Sequence, residues 1–305
     1  MKIHALVFGR PNKIGQNTKA NLDLLSESAI KLGHTLEIIH DYDCQMVFGK
    51  KPRLLIKNHK LENVNVLIVR ANPSGKNLEF RSSIIKQFEV IGIPVINNAL
   101  AVMYAKNKMK TLQLLTRKKV PIPKTYVVFH SQYIDDVIEG IGKFPVIIKS
   151  VSGSHGKGVS IVESKRALIS IIDMITREDA SEPVIVQEYV KESKGKDIRV
   201  FIVGKNIVGV MERIATKRGE FRSNFHLGGR VRIATLTKQE IEIAFAAVNA
   251  CGLDVAGVDI IRTKVGPKVL EVNANPGLEG ITKATGKDIA GSIIKYAVKK
   301  ARAKK

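Results

Sequence analysis

The apolar positions of this chain fall into two spacings that take turns along its first hundred residues. Residues 2–8, 35–39 and 64–70 are short, nearly unbroken apolar runs and read as strands, with a fourth short strand at Ile93-Pro-Val-Ile96. Between them, residues 17–33 and 80–92 carry apolar side chains near helical spacing; in the second, Ile84, Ile85, Phe88 and Ile91 share one side. Strand and helix alternating at these lengths predict a mostly parallel sheet covered by helices.

A second unit begins near Asn97. Residues 99–118 predict one continuous helix, stopped by Val120-Pro-Ile-Pro123 because proline cannot extend the hydrogen-bond ladder. A strand at 125–129 and a helix around 131–141 follow. The overall expectation from the pattern is an α/β (α+β) protein with an N-terminal parallel α/β domain at 1–97 and one or two further subdomains after it.

Three later stretches depart from plain patterning. The first is a strand, Phe144-Pro-Val-Ile-Ile-Lys149, followed by Ser-Val-Ser-Gly153-Ser-His-Gly156-Lys-Gly158 and a second strand at 159–163. Glycines at 153, 156 and 158 let backbone N–H groups approach phosphate oxygens. The spacing matches neither the G-x-x-x-x-G-K-[ST] loop nor the dinucleotide fingerprint, which requires a helix where a strand follows here. A simple flexible turn is the competing reading. The second stretch, Lys217-Arg-Gly-Glu-Phe-Arg222-Ser223-Asn224-Phe-His226-Leu-Gly-Gly229-Arg230, clusters guanidinium groups that suit oxyanions, or else forms a solvated basic loop. His155 and His226 lie in no nucleophile-elbow context, which disfavours Ser/His/Asp catalysis.

The third stretch is the most informative: Val255-Ala-Gly-Val-Asp259-Ile-Ile-Arg262, a turn, then Lys268-Val-Leu-Glu271-Val-Asn273. A hairpin centred near Val265 sets Asp259 opposite Glu271 and Gly257 opposite Asn273, all on one face. Like charges directly opposed destabilise a sheet unless a cation lies between them. Two carboxylates and an amide oxygen are hard ligands suited to Mg²⁺ rather than Zn²⁺, and Gly257 would leave room above them. The alternative is an ordinary network in which Asp259 and Glu271 pair with Arg or Lys.

Composition narrows the partners. The chain has 305 residues, 44% of them apolar, and a formal charge of +22. Residues 1–120 contribute +12 and the rest +10, so the excess runs along the whole chain, with a basic run at Lys299-Lys-Ala-Arg-Ala-Lys-Lys305. Such a field attracts nucleic acid, ATP or acidic peptides. Aromatics at 5% with no Trp leave few stacking platforms for nucleic acid. Cys44 and Cys251 have no metal-type spacing, no run is long enough to span a membrane, and the N-terminal run reads as a strand rather than a signal, so a cytoplasmic protein is expected.

Taken together, Lys149, Gln187-Glu188-Tyr189-Val190-Lys191, Asp197-Ile-Arg199, Phe221-Arg-Ser-Asn224 and Asp259…Glu271-x-Asn273 follow one another as in ATP-grasp ligases. Val255-Ala-Gly-Val-Asp-Ile, Glu271-Val-Asn-Ala-x-Pro-Gly-Leu-Glu-Gly280 and Thr285-Gly-x-Asp-Ile-Ala-Gly291 resemble the RimK branch, α-L-glutamate ligases that extend the C-terminus of a ribosomal protein. Two departures stand out: the family's Asp-Lys reads Asn107-Lys108, and its Asn-Ala-Ser-Pro reads Asn273-Ala-Asn275-Pro.

The resemblance implies a two-lobed ATP-grasp fold after the N-terminal domain, with a central or lid subdomain at 98–186 and a C-terminal subdomain with the metal site at 187–305. It implies that Lys108 and Lys149 hold ATP phosphates under a loop containing Gly153, Gly156 and Gly158. It further implies that the backbone of Glu188, Tyr189, Val190 and Lys191 meets adenine and that Asp197 takes the ribose. Asp259, Glu271 and Asn273 would bind Mg²⁺, with two ions expected and Mn²⁺ an alternative. Arg213, Arg222 and Asn224 would stabilise developing charge, with Arg222, Ser223 and Asn224 also touching nucleotide. The implied partners are L-glutamate and an acceptor protein or peptide C-terminus, ribosomal in the family, with a homo-oligomer as the family's habit and no membrane partner. An Asp259→Asn change is expected to abolish turnover while sparing the fold. The competing functions are a ligase for a small-molecule or carrier-protein substrate, and a basic RNA- or ribosome-binding protein without turnover.

Overall fold

The computed structural model describes residues 1–70, 78–151, 158–178, 183–193, 195–216 and 229–303. The N-terminal domain is the expected parallel sheet. Strands β1 (Lys2–Val7) and β2 (Thr35–His40) flank helix α1 (Gln16–Lys31) in sequence, and β1 also pairs in parallel with a later strand at Val66–Val69. Between β2 and that strand lies a small antiparallel sheet, β3 (Cys44–Val47), β4 (Arg53–Ile56) and β5 (His59–Lys60), which the apolar pattern does not announce because only Leu54 is buried in it. The strand at Val66–Val69 is β6; after α2 (Leu78–Val90) comes β7 (Val95–Ile96), giving the order β2-β1-β6-β7.

The helix expected over 99–118 is instead two: α3 (Ala99–Lys106) and α4 (Lys108–Arg117). Asn107 breaks it. Its backbone is extended (φ −94°, ψ 108°) and its side-chain oxygen accepts from the Lys110 N–H at 3.1 Å, the local bond that makes Asn a helix cap rather than a helix interior residue. Lys108 thereby becomes the first residue of a helix.

The central lobe is a sheet of order β10-β9-β11-β8: β8 (Thr125–Val128), β9 (Val146–Ser150), β10 (Val159–Val162) and β11 (Val184–Glu188), with every neighbouring pair antiparallel. Helices α5 (Ile134–Ile141) and α6 (Lys165–Glu178) cover its apolar face through Ile134, Val137, Leu168 and Ile172. Strand β11 stays in this sheet to Glu188. By packing, α3 and α4 go with the next sheet, since Ala101 and Leu115 join its core.

That sheet has the order β14-β13-β12-β15-β16, with β12 (Lys196–Val203), β13 (Asn206–Ile214), β14 (Arg230–Ile233), β15 (Val255–Thr263) and β16 (Gly266–Asn273). One face carries the apolar core Ile198, Val200, Ile202, Val258, Ile260 and Val272, which packs on α7 (Lys238–Cys251). The other face is divided. Phe201, Val203, Met211 and Val255 sit against α8 (Glu279–Thr285), α9 (Ile289–Arg302) and the N-terminal sheet in one shared core. The remainder of that face is charged. Because side chains alternate along a strand, Asp197 and Arg199 necessarily share a face with Phe201, and a single sheet carries an apolar anchor and a polar site side by side.

Candidate active site

The β15–β16 register brings Asp259 directly opposite Glu271 and Gly257 opposite Asn273, as the sequence expects. Nearer the turn the register slips by one residue, so Ile260 faces Val269. The two acids differ sharply: Asp259 is 4% exposed, whereas Glu271 is exposed. Next to them, Arg199 pairs with Asp259 across β12–β15, and Asp197 with Arg213 across β12–β13.

These four buried groups form one ionic chain. Arg199 grips both Asp259 oxygens, through Nε to Oδ1 and through a terminal nitrogen to Oδ2 at 2.8 Å. Arg213 holds Asp197 in the same forked manner at 2.6 and 2.8 Å and reaches Asp259 Oδ2 at 2.7 Å. Burial alone would raise the Asp259 pKa; Arg199 and Arg213 outweigh it and hold the carboxyl below the ordinary range. Arg213, although buried, is kept above its ordinary pKa by Asp259 and Asp197. Arg199 carries no role in the sequence reading beyond its place in Asp197-Ile-Arg199, yet it is the main partner of Asp259.

Gly257 does not open space over the acids, as the sequence suggests. A Cβ there would lie 2.8 Å from the Pro276 Cβ and 3.0 Å from the Arg199 Cδ. The missing side chain lets Arg199 and Pro276 cross the strand closely, and that is how Arg199 reaches Asp259.

A lysine cluster faces Glu271. Burial drives the Lys149 pKa down to about 8, with Glu271 opposing and Lys108 adding to the fall. Lys149 Nζ donates to Gln187 Oε1 at 2.7 Å, and Gln187 Nε2 in turn donates to Thr125 Oγ1 at 2.7 Å, which fixes the amine from β11 and β8. Lys108 Nζ donates to the Val151 carbonyl at 3.3 Å, at the edge of the glycine-rich segment. Lys106, absent from the sequence-derived set, belongs here too: burial and Lys108 lower its pKa against the pull of Glu271. Its signal was there, two residues before Lys108, but a continuous helix would have pointed the two in different directions.

At the junction of the lobes, the Glu188 N–H donates to Lys124 O at 2.8 Å and the Glu188 side chain accepts from Lys268 Nζ at 2.8 Å. Tyr189 and Val190 follow at the strand end, and the Val190 carbonyl accepts from the Ser193 N–H at 3.2 Å in the short 3₁₀ turn that begins at Lys191. Gly158, with φ +72°, accepts from the Ser150 N–H and closes the β9–β10 hairpin. Gly153, Gly156, Arg222, Ser223 and Asn224 lie outside the described residues.

The acids fit a divalent cation by their chemistry. An ionised carboxylate has about four lone-pair positions. The arginines use one on Asp259 Oδ1 and two on Oδ2. The Glu271 carboxylate makes no hydrogen bond or ion pair among the described residues, where Asn273 Oδ1 accepts only from the Asn275 N–H at 3.0 Å. Hard oxygen donors therefore remain on one face, beside amines suited to phosphate. A two-lobed fold with this site between its antiparallel sheets defines an ATP-grasp ligase, a class that uses ATP with divalent metal ions.

Comparison with known proteins agrees. A RimK-like ATP-grasp domain matches residues 105–297 and a RimK PreATP-grasp domain residues 15–102. A probable alpha-L-glutamate ligase of Citrobacter koseri is 40% identical over 274 residues, covering 89% of each chain. A ribosomal protein bS6–L-glutamate ligase of Escherichia fergusonii matches with the same identity and coverage. Among solved structures, the RimK domain ATP-grasp protein of Sphaerobacter thermophilus superposes with TM-score 0.72 at 20% identity, over 97% of this chain and 99% of that one. The ATP-grasp ligase PsnB with its minimal precursor gives 0.75 at 17% identity, over 97% and 98%. This chain belongs to the RimK-like ATP-grasp family and is an ATP-dependent ligase.

Proposed function

We propose that this ligase adds L-glutamate to the C-terminus of a ribosomal protein or similarly acidic peptide. The observation that carries the reading is the exposed Glu271 set opposite the buried Asp259 and facing Lys106 and Lys149, with Lys108 beside both lysines, a site for a charged phosphate chain in a protein whose relatives are named glutamate ligases. In this reading the γ-phosphate passes to the acceptor's carboxylate, giving an acyl phosphate and ADP. The glutamate α-amine, having lost a proton, attacks the acyl carbon, and inorganic phosphate leaves as the amide forms.

The chain's part is positioning and charge stabilisation, with no enzyme nucleophile. Lys108 and Lys149 hold phosphate oxygens, backbone N–H groups at Gly153, Gly156 and Gly158 are the further phosphate donors in this reading, and Glu188–Lys191 lines the base with Asp197 at the ribose. Arg213, Arg222 and Asn224 offset negative charge on the transferring and tetrahedral oxygens, and Ser223 adds a nucleotide contact. Asp259, Glu271 and Asn273 would hold Mg²⁺ or Mn²⁺, expected as two ions. Bound there, the metal neutralises phosphate charge.

The test is ADP release by the purified protein with Mg-ATP, screened across amino acids with a peptide ending in glutamates, with the products read by mass spectrometry. Glutamate-dependent release with a mass gain of one or more glutamyl residues is the expected result. Turnover that requires a different amino acid, or extension of a small molecule instead of the peptide, would overturn it.

A further inference from the structure

One buried cation takes no part in this scheme. Arg70 follows β6, is 4% exposed, and has no acidic partner among the described residues. A terminal nitrogen donates to the Pro276 carbonyl at 3.0 Å, while its Nε–H is buried and meets no acceptor. A guanidinium left without a counter-charge is costly, and burial lowers its pKa to about 10. The position is a binding crevice by topology. In the order β2-β1-β6-β7 the chain turns to opposite sides from β1, so the switch point lies between the carboxyl ends of β1 and β6, where open α/β sheets take ligands.

The surroundings have room, and the acid beside Gly9 is already held: Asp41 Oδ1 accepts from the Gly9 N–H at 2.6 Å and Oδ2 from Arg81 Nε at 3.1 Å. A Cβ on Gly9, just past β1, or on Gly277, just past Pro276, would meet nothing within 4 Å. Helix α1 begins at this end with no acidic residue in its first turn and no side-chain cap, and its Asn21 accepts from the Leu278 N–H, which ties the helix to the same 276–278 loop. The residue before Pro276 is Asn275, whose Oδ1 is buried without a donor. An unmet donor on Arg70 and an unmet acceptor on Asn275 flank one proline.

The geometry points to Arg70 as the residue that binds a substrate carboxylate, with Asn275 accepting an N–H from the same molecule. A free amino acid and a peptide C-terminus both carry that pair of groups on a single carbon, the α-carbon. The slot adjoins the loop that continues from Asn273, so it sets a carboxylate-bearing substrate beside the candidate phosphate site. The assignment rests on the ligase reading for its turnover test only.

Two measurements decide it, on Arg70→Met, Arg70→Lys and the unchanged protein. In thermal-shift titrations, L-glutamate or a glutamate-ending peptide raises the melting temperature of the unchanged protein, and Arg70→Met loses that rise while keeping the rise given by Mg-ATP. In turnover, Arg70→Met raises KM at least tenfold for one of the two carboxylate substrates with KM for ATP unchanged, and Arg70→Lys falls between. The substrate affected separates the incoming amino acid from the acceptor. A loss of ATP affinity with both carboxylate substrates unaffected would make Arg70 only a brace for the Pro276 loop and overturn the inference. So would an unchanged protein that neither carboxylate ligand stabilises. An unchanged protein that binds glutamate yet never extends the peptide would instead defeat the proposed function and leave this slot standing.

Discussion

Arg199 and Asp259 are direct partners across the β12–β15 ladder and are joined by a two-pronged ion pair inside the protein. The pair gives Asp259 two duties, as an anchor for two arginines and as a candidate metal ligand. Removing one member of a buried ion pair leaves the other charge uncompensated, at a cost of about 3–5 kcal/mol. Asp259→Ala is therefore expected to lose turnover and to unfold at clearly lower urea. Asp259→Asn keeps the shape but not the charge; it should lose turnover and also lower the midpoint, contrary to the expectation from sequence that it spares the fold. An Asp259→Asn enzyme with normal activity would remove Asp259 from the site.

Gly257 connects packing to the same pair. A methyl group there intrudes on Pro276 and on the Arg199 stem, and overpacking of this kind costs about 1–3 kcal/mol. The cheapest relief is for Arg199 to swing away from Asp259. Gly257→Ala should thus lower kcat by a larger factor than its modest stability loss would suggest, with the Mg²⁺ dependence of rate shifted to higher concentration. Equal kcat at saturating Mg²⁺ would show that Arg199 does not orient Asp259.

The legible parts of this chain were those in which local pattern and site coincide. The hairpin register could be read because alternation fixes which face Asp259 and Glu271 share, and the one-residue slip lay on the far side of the acids, where it did not disturb them. Helix α7 carries a local start signal in its sequence: Thr237-Lys-Gln-Glu240 is a capping box, with both reciprocal bonds present. Asn107 departs from the family motif, and its own chemistry as a cap is what splits α3 from α4. Arg199, Lys106 and Arg70 could not be ranked from sequence because their meaning lies in what they face across strands or lobes. Alternation names the face of a strand but not which neighbour occupies the next one.

The charge of +22 gives a separate expectation. A peptide that gains one carboxylate with each glutamate is drawn to a basic surface over distances comparable to the screening length, about 8 Å in physiological salt. The kcat/KM for an acidic acceptor should fall several-fold as ionic strength rises from about 0.05 to about 0.3 M, and that for a neutral acceptor much less. If the two acceptors respond alike, the field serves another partner.

Lys149 supplies the pH dependence. Burial puts its pKa at about 8, well under that of a free lysine, so between about pH 8 and about pH 10 the unfolded chain holds more protons at this residue than the folded one. Stability from this group accordingly rises with pH across that window, since folding no longer has to bury the charge. Phosphate binding runs the opposite way, because only the protonated amine attracts it. At pH 9 about one molecule in ten remains protonated, so apparent ATP affinity should weaken roughly tenfold from its value near pH 7. Arginine keeps its charge throughout this range. Lys149→Arg should therefore show a flatter ATP-affinity profile, whatever its absolute affinity. A profile unchanged by this substitution would assign the loss of affinity to another group and take Lys149 off the phosphate.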